Sequence, residues 1–433
     1  MKLPLTTKPE RPEFPCPTTK IAERLVAWFG QHARGLPWRR TREPYAIWVS
    51  EIMLQQTQVK TVIPYWERWM RELPDVRALA RAKAQKLHKL WEGLGYYRRV
   101  RNLQQAAQVI VERHGAKFPS GYEAILALPG VGRYTAGAIA SIAFHQPRPI
   151  LDGNVMRVLT RVFGIAGDPR GKVVNARLWS LAEELVRAAA ESNAGQGCLP
   201  APPAGLNGSG SPGCSQLNQA LMELGALICT PRIPRCDACP LAKNCRALAQ
   251  GTVGKLPALG PRPRPTPRHF VALVAERRGR FLVRQRPAGS VNAHLWEFPN
   301  VEVDRKSSAT LSRMTERELR TNPPNGLNEV RGLRKLAEGS GPVTGWQYLG
   351  TIRHSITRYR IRLDVFFATI PPGSRGPTSA GRWCALSMLG RLPFASAHKQ
   401  ILQRLSLRST APEPGAAKKF RAKPRLPGVV CAG

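Results

Sequence analysis

The chain has 433 residues, more than one hydrophobic core usually serves, so two domains with linkers are expected. Lysine and arginine number 66 against 28 aspartates and glutamates, a formal charge of +38, and such an excess draws polyanions at long range, so nucleic acid or an anionic membrane surface is the expected partner. A membrane-spanning protein is not expected, because the longest apolar stretches, such as 136–144, fall far short of the roughly 20 residues that cross a bilayer.

From the N-terminus, residues 1–18 are Pro-rich, lack an apolar signal core and read as a disordered tail of a soluble, non-secreted protein. In a reducing compartment, clustered cysteines point to a metal site rather than to disulfides. Residues 21–190 carry dense apolar periodicity with short Gly/Pro punctuation and few alternating β-branched runs, the pattern of an all-helical region. Glu51 is the only charge in the segment 45–54 (YAIWVSEIML), and an acid in apolar surroundings has the raised pKa that a general acid near neutrality requires. A glutamate facing solvent is the other local reading. Residues 128–132 (LPGVG) separate two helical segments, and backbone N–H groups at Gly130 and Gly132 ahead of a helix suit a phosphate, although any tight helix–helix turn also favours glycine. Asp152, just before a helical pattern, reads locally as an N-cap.

Residues 191–215 are rich in Gly, Ser, Pro and Asn and are expected to form a flexible insertion. Helical character resumes over 217–228 and four cysteines follow, closing a helical domain at 19–250; residues 251–268 form a basic, Pro-rich linker. Beyond it the period changes to two: Tyr359, Ile361, Leu363 and Val365 alternate with Arg358, Arg360, Arg362 and Asp364, so 269–408 is expected to be an α+β domain. Residues 409–433 read as a basic disordered tail, and no internal repeat is visible.

Cys229, Cys236, Cys239 and Cys245 have the spacing C-x6-C-x2-C-x5-C, four soft donors in one loop that suit a [4Fe-4S] cluster or a tetrahedral zinc. Zinc sites more often use two separated C-x2-C pairs and only one such pair is present, which favours the cluster. Cys16, Cys198, Cys214, Cys384 and Cys431 are scattered and read as free thiols. Arg232, Arg235, Lys243 and Arg246 give the loop positive charge, for a phosphate backbone or simply for solvent.

These pieces in this order resemble the endonuclease III, or helix-hairpin-helix, superfamily, and 36–39 (LPWR), 50–59 (SEIMLQQTQV), 93–97 (GLGYY) and 151–155 (LDGNV) look like its MutY branch. The resemblance covers roughly 21–250 and implies two helical subdomains with the active site between them, a [4Fe-4S] cluster on the four cysteines, and removal of adenine mispaired with 8-oxoguanine or guanine in double-stranded DNA. It implies Glu51 as the acid that protonates adenine and Asp152 as the carboxylate that stabilises the positive sugar, with Tyr134 and Asn154 beside Asp152. Breaking a glycosidic bond needs this division of labour between two carboxylates. An adenine inside a duplex must also be flipped out. Gln56, Leu94 and Tyr96 match the family's wedge positions, and Arg39, Thr57, Gly130 and Gly132 complete the expected DNA-contacting set of this domain. Where bifunctional relatives carry a nucleophilic lysine after the hairpin, this chain has Tyr134, which implies a monofunctional enzyme, acting as a monomer in the cytoplasm, on a bacterial nucleoid.

Residues 269–408 more loosely resemble the family's Nudix-like, lesion-sensing domain, through 295–299 (LWEFP) and 392–398 (LPFASAH). No glutamate-rich hydrolase box is visible over 301–331, so nucleotide hydrolysis is not expected. Many relatives carry Phe-Ser-His on the hairpin that contacts the lesion, but here that place holds Ile356, Thr357 and Arg358. Thr357 is expected to replace the serine hydroxyl at the base edge, Arg358 to contact a phosphate or the base, and Ile356 to wedge. The competing functions are another helix-hairpin-helix glycosylase, for mispaired thymine or oxidised pyrimidine, and a non-catalytic iron-sulfur DNA-binding protein. The intact Glu51/Asp152 pair argues against the second and the long C-terminal domain against the first.

Overall fold

The computed structural model describes residues 18–192, 212–261, 263–303, 347–370 and 381–409. The chain divides into two units, Met1–Arg264 and Pro265–Gly433.

The first unit is helical among its described residues: α1 (Thr18–His32), α2 (Pro44–Leu54), α3 (Val59–Glu72), α4 (Val76–Arg81), α5 (Ala84–Leu90), α6 (Arg98–Arg113), α7 (Tyr122–Leu126), α8 (Arg133–Phe144), α9 (Gly153–Val162), α10 (Lys172–Glu191), α11 (Pro212–Leu227) and α12 (Arg246–Ala249). In α1 the buried Ile21, Ala22, Leu25, Val26 and Phe29 recur at helical spacing, and this stripe packs with α9, α10 and α11 into one core around Leu159, Leu185 and Leu221. The intervening helices α2 to α8 form the other half. There α2 is buried on all sides, and two of its polar groups pair with neighbours: Trp66 Nε1 donates to Ala46 O at 3.0 Å and Tyr45 Oη to Leu73 O at 2.8 Å. Because α1 returns to the far half, the chain crosses between the halves around 33–43 and again after α8, and these crossings carry the residues of the site.

Two expected boundaries move. The insertion was expected to run to 215, yet α11 opens at Pro212, where proline at the first helical position loses no hydrogen bond, and Cys214, Ser215 and Gln216 are buried. The Pro-Gly-Cys-Ser composition reads as loop, but the following Asn218 anchors the helix by donating to Ser141 Oγ at 2.9 Å and Arg148 O at 2.8 Å. The rest of the expected insertion, 193–211, lies outside the described residues, as do 1–17 and 410–433 of the expected tails. The expected linker is also shorter: Leu256 O accepts from Arg161 Nε at 2.9 Å, which ties its start to the helical unit, and its end is already strand.

The second unit contains β1 (Thr266–Arg277), β2 (Arg280–Gln285), β3 (Trp296–Glu297), β4 (Asn300–Glu302), β5 (Gln347–Ile356), β6 (Tyr359–Thr369), β7 (Arg382–Ala385), α13 (Leu386–Leu389) and α14 (Ser396–Ser409). The sheet order is β3-β2-β1-β6-β5, with β4 on β1 and β7 on β2; β1 and β6 run parallel and the other pairs antiparallel. β1 starts three residues before the expected 269 because Thr266 N donates to Arg358 O at 2.8 Å. On β6 the expected alternation holds: Leu363 and Val365 enter the core with Ile401 and Leu405 of α14, while Asp364 faces the other side. Asp364 is nevertheless buried, accepting from Thr351 and from Arg362 Nε and lying 2.6 Å from His269 Nε2. The stretch 304–331, where no hydrolase box was visible, lies outside the described residues. Among the described residues no helix is long and apolar enough to cross a membrane.

Candidate active site

α2 places Glu51 near its C-terminal end, facing inward at 5% exposure. Opposite it, α8 begins right after the glycine hairpin and presents Tyr134, whose Oη donates to Glu51 Oε2 at 2.8 Å and lies 3.2 Å from Met222 Sδ. Asp152 caps α9: its Oδ1 accepts from Asn154 N at 3.0 Å and Val155 N at 2.8 Å, and its Oδ2 from Asn154 Nδ2 at 3.0 Å. The cap reading and the site reading of Asp152 thus hold together, because the helix N-terminus that orients the carboxylate also favours its charge. These groups line one cavity of about 470 Å³ with Arg34, Trp38, Arg39, Gln55, Met222 and Glu223.

The carboxylates in this cavity differ electrostatically. Burial pushes Glu51 up to about 7; the charge of Asp152 adds to this, while the Tyr134 hydrogen bond and Arg39 oppose it. Burial also raises Asp152, but the two N-cap amides, the Asn154 amide and the Arg157 charge hold it back. Glu223 goes the other way. Burial alone would raise it, yet Arg34 and Arg39 donate to it at 2.7 to 3.2 Å and bring it down to about 2. The cavity therefore holds Glu51, an acid protonatable near neutrality, beside Asp152, whose rise its amide partners oppose, and Glu223, which its arginines keep ionised. An acid next to a carboxylate of different environment is the pairing an acid-assisted bond cleavage needs.

The structure brings Glu51, Tyr134, Asp152 and Asn154 together, and Tyr134, expected beside Asp152, makes its hydrogen bond to Glu51, because α8 faces α2 across the cavity. Arg39, expected at DNA, is held by Glu223, lies over the Phe29 ring and lines the cavity. Leu94, expected as a wedge, is 6% exposed and belongs to the core. Gln56 and Tyr96, in contrast, are exposed and sit at positive φ (58° and 47°), and Thr57 is half-buried beside Gln56. Gly130 has φ 76°, and a Cβ there would collide with the Asn102 amide, so glycine is required; Gly132 is the exposed N-cap residue of α8. Ile356, half-buried at the end of β5, and the exposed Thr357 and Arg358 form the tip between β5 and β6, with Thr357 at φ 51° and Arg358 against the Tyr359 ring.

Two contributors went unnoticed in the sequence. Glu223 is one; Arg157 is the other, a buried cation donating to Asn154 Oδ1 at 2.9 Å, Gly225 O at 2.7 Å and Cys229 O at 2.7 Å. Gly225 lets α11 approach α9 this closely, since a Cβ there would stand 2.7 Å from Asn154 Cβ.

The cysteine loop packs against α9. Arg161 donates to Thr230 O at 2.7 Å and lies 3.4 Å from Cys229 Sγ. Cys229, Cys236, Cys239 and Cys245 are all half-buried free thiols; burial raises Cys239 and Cys245, and the neighbouring cysteines raise them further, which places the four sulfurs within one another's field. No three His, Cys, Asp or Glu among the described residues are gathered around a point that would hold a single ion. Four soft thiol donors in one loop are a set whose chemistry fits a [4Fe-4S] cluster, one thiolate per iron.

Residues 49–184 match the family described as HhH-GPD superfamily base excision DNA repair protein, and residues 270–404 match the NUDIX domain. The chain is 34% identical to a mouse (Mus musculus) adenine DNA glycosylase, covering 93% of this chain and 82% of that protein, and 35% identical to the human (Homo sapiens) adenine DNA glycosylase, covering 82% and 70%. It is also similar to a solved thermostable thymine-DNA glycosylase, at 28% identity and a TM-score of 0.45, over 54% of this chain and 97% of that one. A likeness that runs through both domains, together with two environmentally distinct carboxylates in a cavity of the helical one, assigns the chain to the adenine DNA glycosylase family of base excision repair.

Proposed function

We propose that this glycosylase removes adenine paired with 8-oxoguanine or guanine, and that it does so by hydrolysis alone, without cutting the strand. The observation that carries the reading is Glu51, a buried acid brought to about 7 across the cavity from the capped carboxylate of Asp152. A flipped adenine enters the cavity and Glu51 gives its proton to a ring nitrogen, so the base leaves with the electron pair of the glycosidic bond. Asp152 faces the resulting oxocarbenium-like sugar, with Asn154 and two main-chain amides fixing its orientation, until water adds. Burial and both carboxylates hold the Tyr134 phenol far above its usual pKa, so it stays a hydrogen-bond donor to Glu51 and offers no amine for a Schiff base. Gln56, Thr57 and Tyr96 insert at the gap, and Gly130 and Gly132 offer main-chain amides to a phosphate. Monomeric action on nucleoid DNA is part of the same reading.

A single-turnover assay on duplexes with adenine opposite 8-oxoguanine, guanine or thymine tests it. Release is expected in the first two, with strand breaks only after alkali. Preference for a thymine partner, or a borohydride-trapped adduct lost on mutation of one lysine, would sink it.

The four cysteines would hold a [4Fe-4S] cluster, supplying a rigid cross-link and an electron-transfer-capable centre next to α9. The purified protein is expected to be brown, with about four irons per chain. Colourless protein with one zinc overturns this.

In the second unit, the tip Ile356-Thr357-Arg358 reads the lesion edge. Thr357→Ala with Arg358→Ala is expected to lower the preference for 8-oxoguanine over guanine by about 1–3 kcal/mol, as for a lost base-edge contact. The measurement is the ratio of dissociation constants in an Asp152→Asn background; an unchanged ratio would place the reading elsewhere.

A further inference from the structure

Arg99, the second residue of α6, is a buried cation that no carboxylate among the described residues pairs with. Its guanidinium is held by main-chain carbonyls from two places. Nη1 donates to Ile52 O at 2.8 Å, Met53 O at 3.0 Å and Gln55 O at 2.6 Å, all at the C-terminal end of α2; Nη2 donates to Leu94 O at 3.0 Å and Gly95 O at 3.2 Å. The first three are carbonyls that a helix end leaves without intrahelical partners, and the cation sits at the negative end of the helix dipole. The left-handed position that follows the cap Gln55, usually a glycine, is held here by Gln56 at φ 58°. The guanidinium carbon also lies over the Trp91 and Tyr96 rings, at 5.3 and 5.8 Å from their centroids.

The residues on either side of this clamp are those whose backbones are hardest to hold. Gln56 follows the α2 end at φ 58° and Tyr96 follows the loop carbonyls at φ 47°, both exposed non-glycine residues in the left-handed region. We infer that Arg99 is a positioning residue for base extrusion: by binding the α2 end and the 94–95 loop at once, it holds Gln56 and Tyr96 at the spacing that fills the gap left by the adenine, in register with Glu51 one turn back on α2. The inference rests on the proposed role of Gln56 and Tyr96 as wedges. Lysine keeps the charge but has three donors on one nitrogen, so it cannot reach both sets of carbonyls as a planar fork does.

The test uses the full-length protein and two substrates: adenine paired with 8-oxoguanine, and adenine in a single-nucleotide bulge, already unstacked. Arg99→Gln is expected to slow single-turnover release from the paired duplex by about a hundredfold, the scale of a misplaced reacting group, while the bulged substrate loses far less. Arg99→Lys should recover part of the loss. With 2-aminopurine in place of the adenine and Asp152→Asn in the background, the fluorescence gain on binding should disappear in Arg99→Gln and return in part in Arg99→Lys. Equal loss on paired and bulged substrates would mean that Arg99 merely supports the α2 fold, and the inference falls. Tyr96→Ala separates the two readings: if it leaves the fluorescence gain intact, the wedge role falls and the Arg99 inference with it. If Tyr96→Ala abolishes the gain and the Arg99 variants do not, Arg99 alone is overturned.

Discussion

Glu51→Gln and Asp152→Asn are each expected to abolish adenine release, by roughly 10²–10⁴-fold or more in single-turnover rate, while affinity for the mispaired duplex changes little. Neither side chain is placed at a phosphate, and each role exists only as the glycosidic bond breaks, so the loss belongs in kcat. With wild-type protein the rate should fall as pH rises through about 7, where Glu51 gives up its proton. For stability the Glu51 substitution is expected to act in the opposite direction to its effect on activity. Its folded pKa lies above the unfolded value of about 4.5, so the folded state prefers the protonated acid; its contribution is fully present below pH 4.5 and is lost as pH rises to about 7. Glu51→Gln removes that liability and should stabilise the fold at pH 8 by on the order of 1–3 kcal/mol relative to wild type, read as a higher Tm, while leaving Tm at pH 4 nearly unchanged. A variant that is inactive and less stable at pH 8 would mean that Glu51 is a structural acid, and near wild-type release in either variant would remove the catalytic assignment.

What could be read from the sequence follows from the range of the interactions. Helical periodicity, the glycine hairpin and the change to period two are local signals, and the two-unit architecture and the alternation on β6 follow them. Glu51 stood out because a lone charge in an apolar run has few solvated options. Glu223 carries the same signal, the only charge in 212–227, and was passed over because no motif drew attention to it. The relations that local signals leave open are those between elements distant in sequence. Which carboxylate Tyr134 meets depends on how α8 faces α2, and Arg39 is engaged by a carboxylate 184 positions away. Leu94 sits in a loop whose backbone invites a wedge, yet only packing decides that its side chain goes inward while Tyr96 goes out. The early starts of α11 and β1 have the same origin: partners distant in sequence, the Ser141 hydroxyl and the Arg358 carbonyl, override a composition that reads as loop.

Glu223→Gln is expected to have the second largest effect, through stability and through the chemistry together. Glu223 is 1% exposed and binds both Arg34 and Arg39, so the neutral amide leaves two cations facing each other near the cavity. Its folded pKa is depressed to about 2 from 4.5, so it contributes stability that is complete above about pH 4.5 and lost as pH falls towards 2. Wild type minus variant stability should therefore be on the order of 3 kcal/mol at pH 7, shrinking to near zero by pH 2. The effect on rate follows from Arg39, whose charge already pulls Glu51 down against burial. Without Glu223 to offset it, that pull grows, Glu51 loses its proton at lower pH, and the falling limb of the rate profile should shift to lower pH with the low-pH plateau largely kept. Thermal denaturation at pH 7 and pH 3, combined with single-turnover rates from pH 5 to 9, separates the two effects. A large drop in Tm with an unshifted profile would mean that the arginines do not act on Glu51, and an unchanged Tm at pH 7 would mean that solvent replaces the carboxylate at no cost.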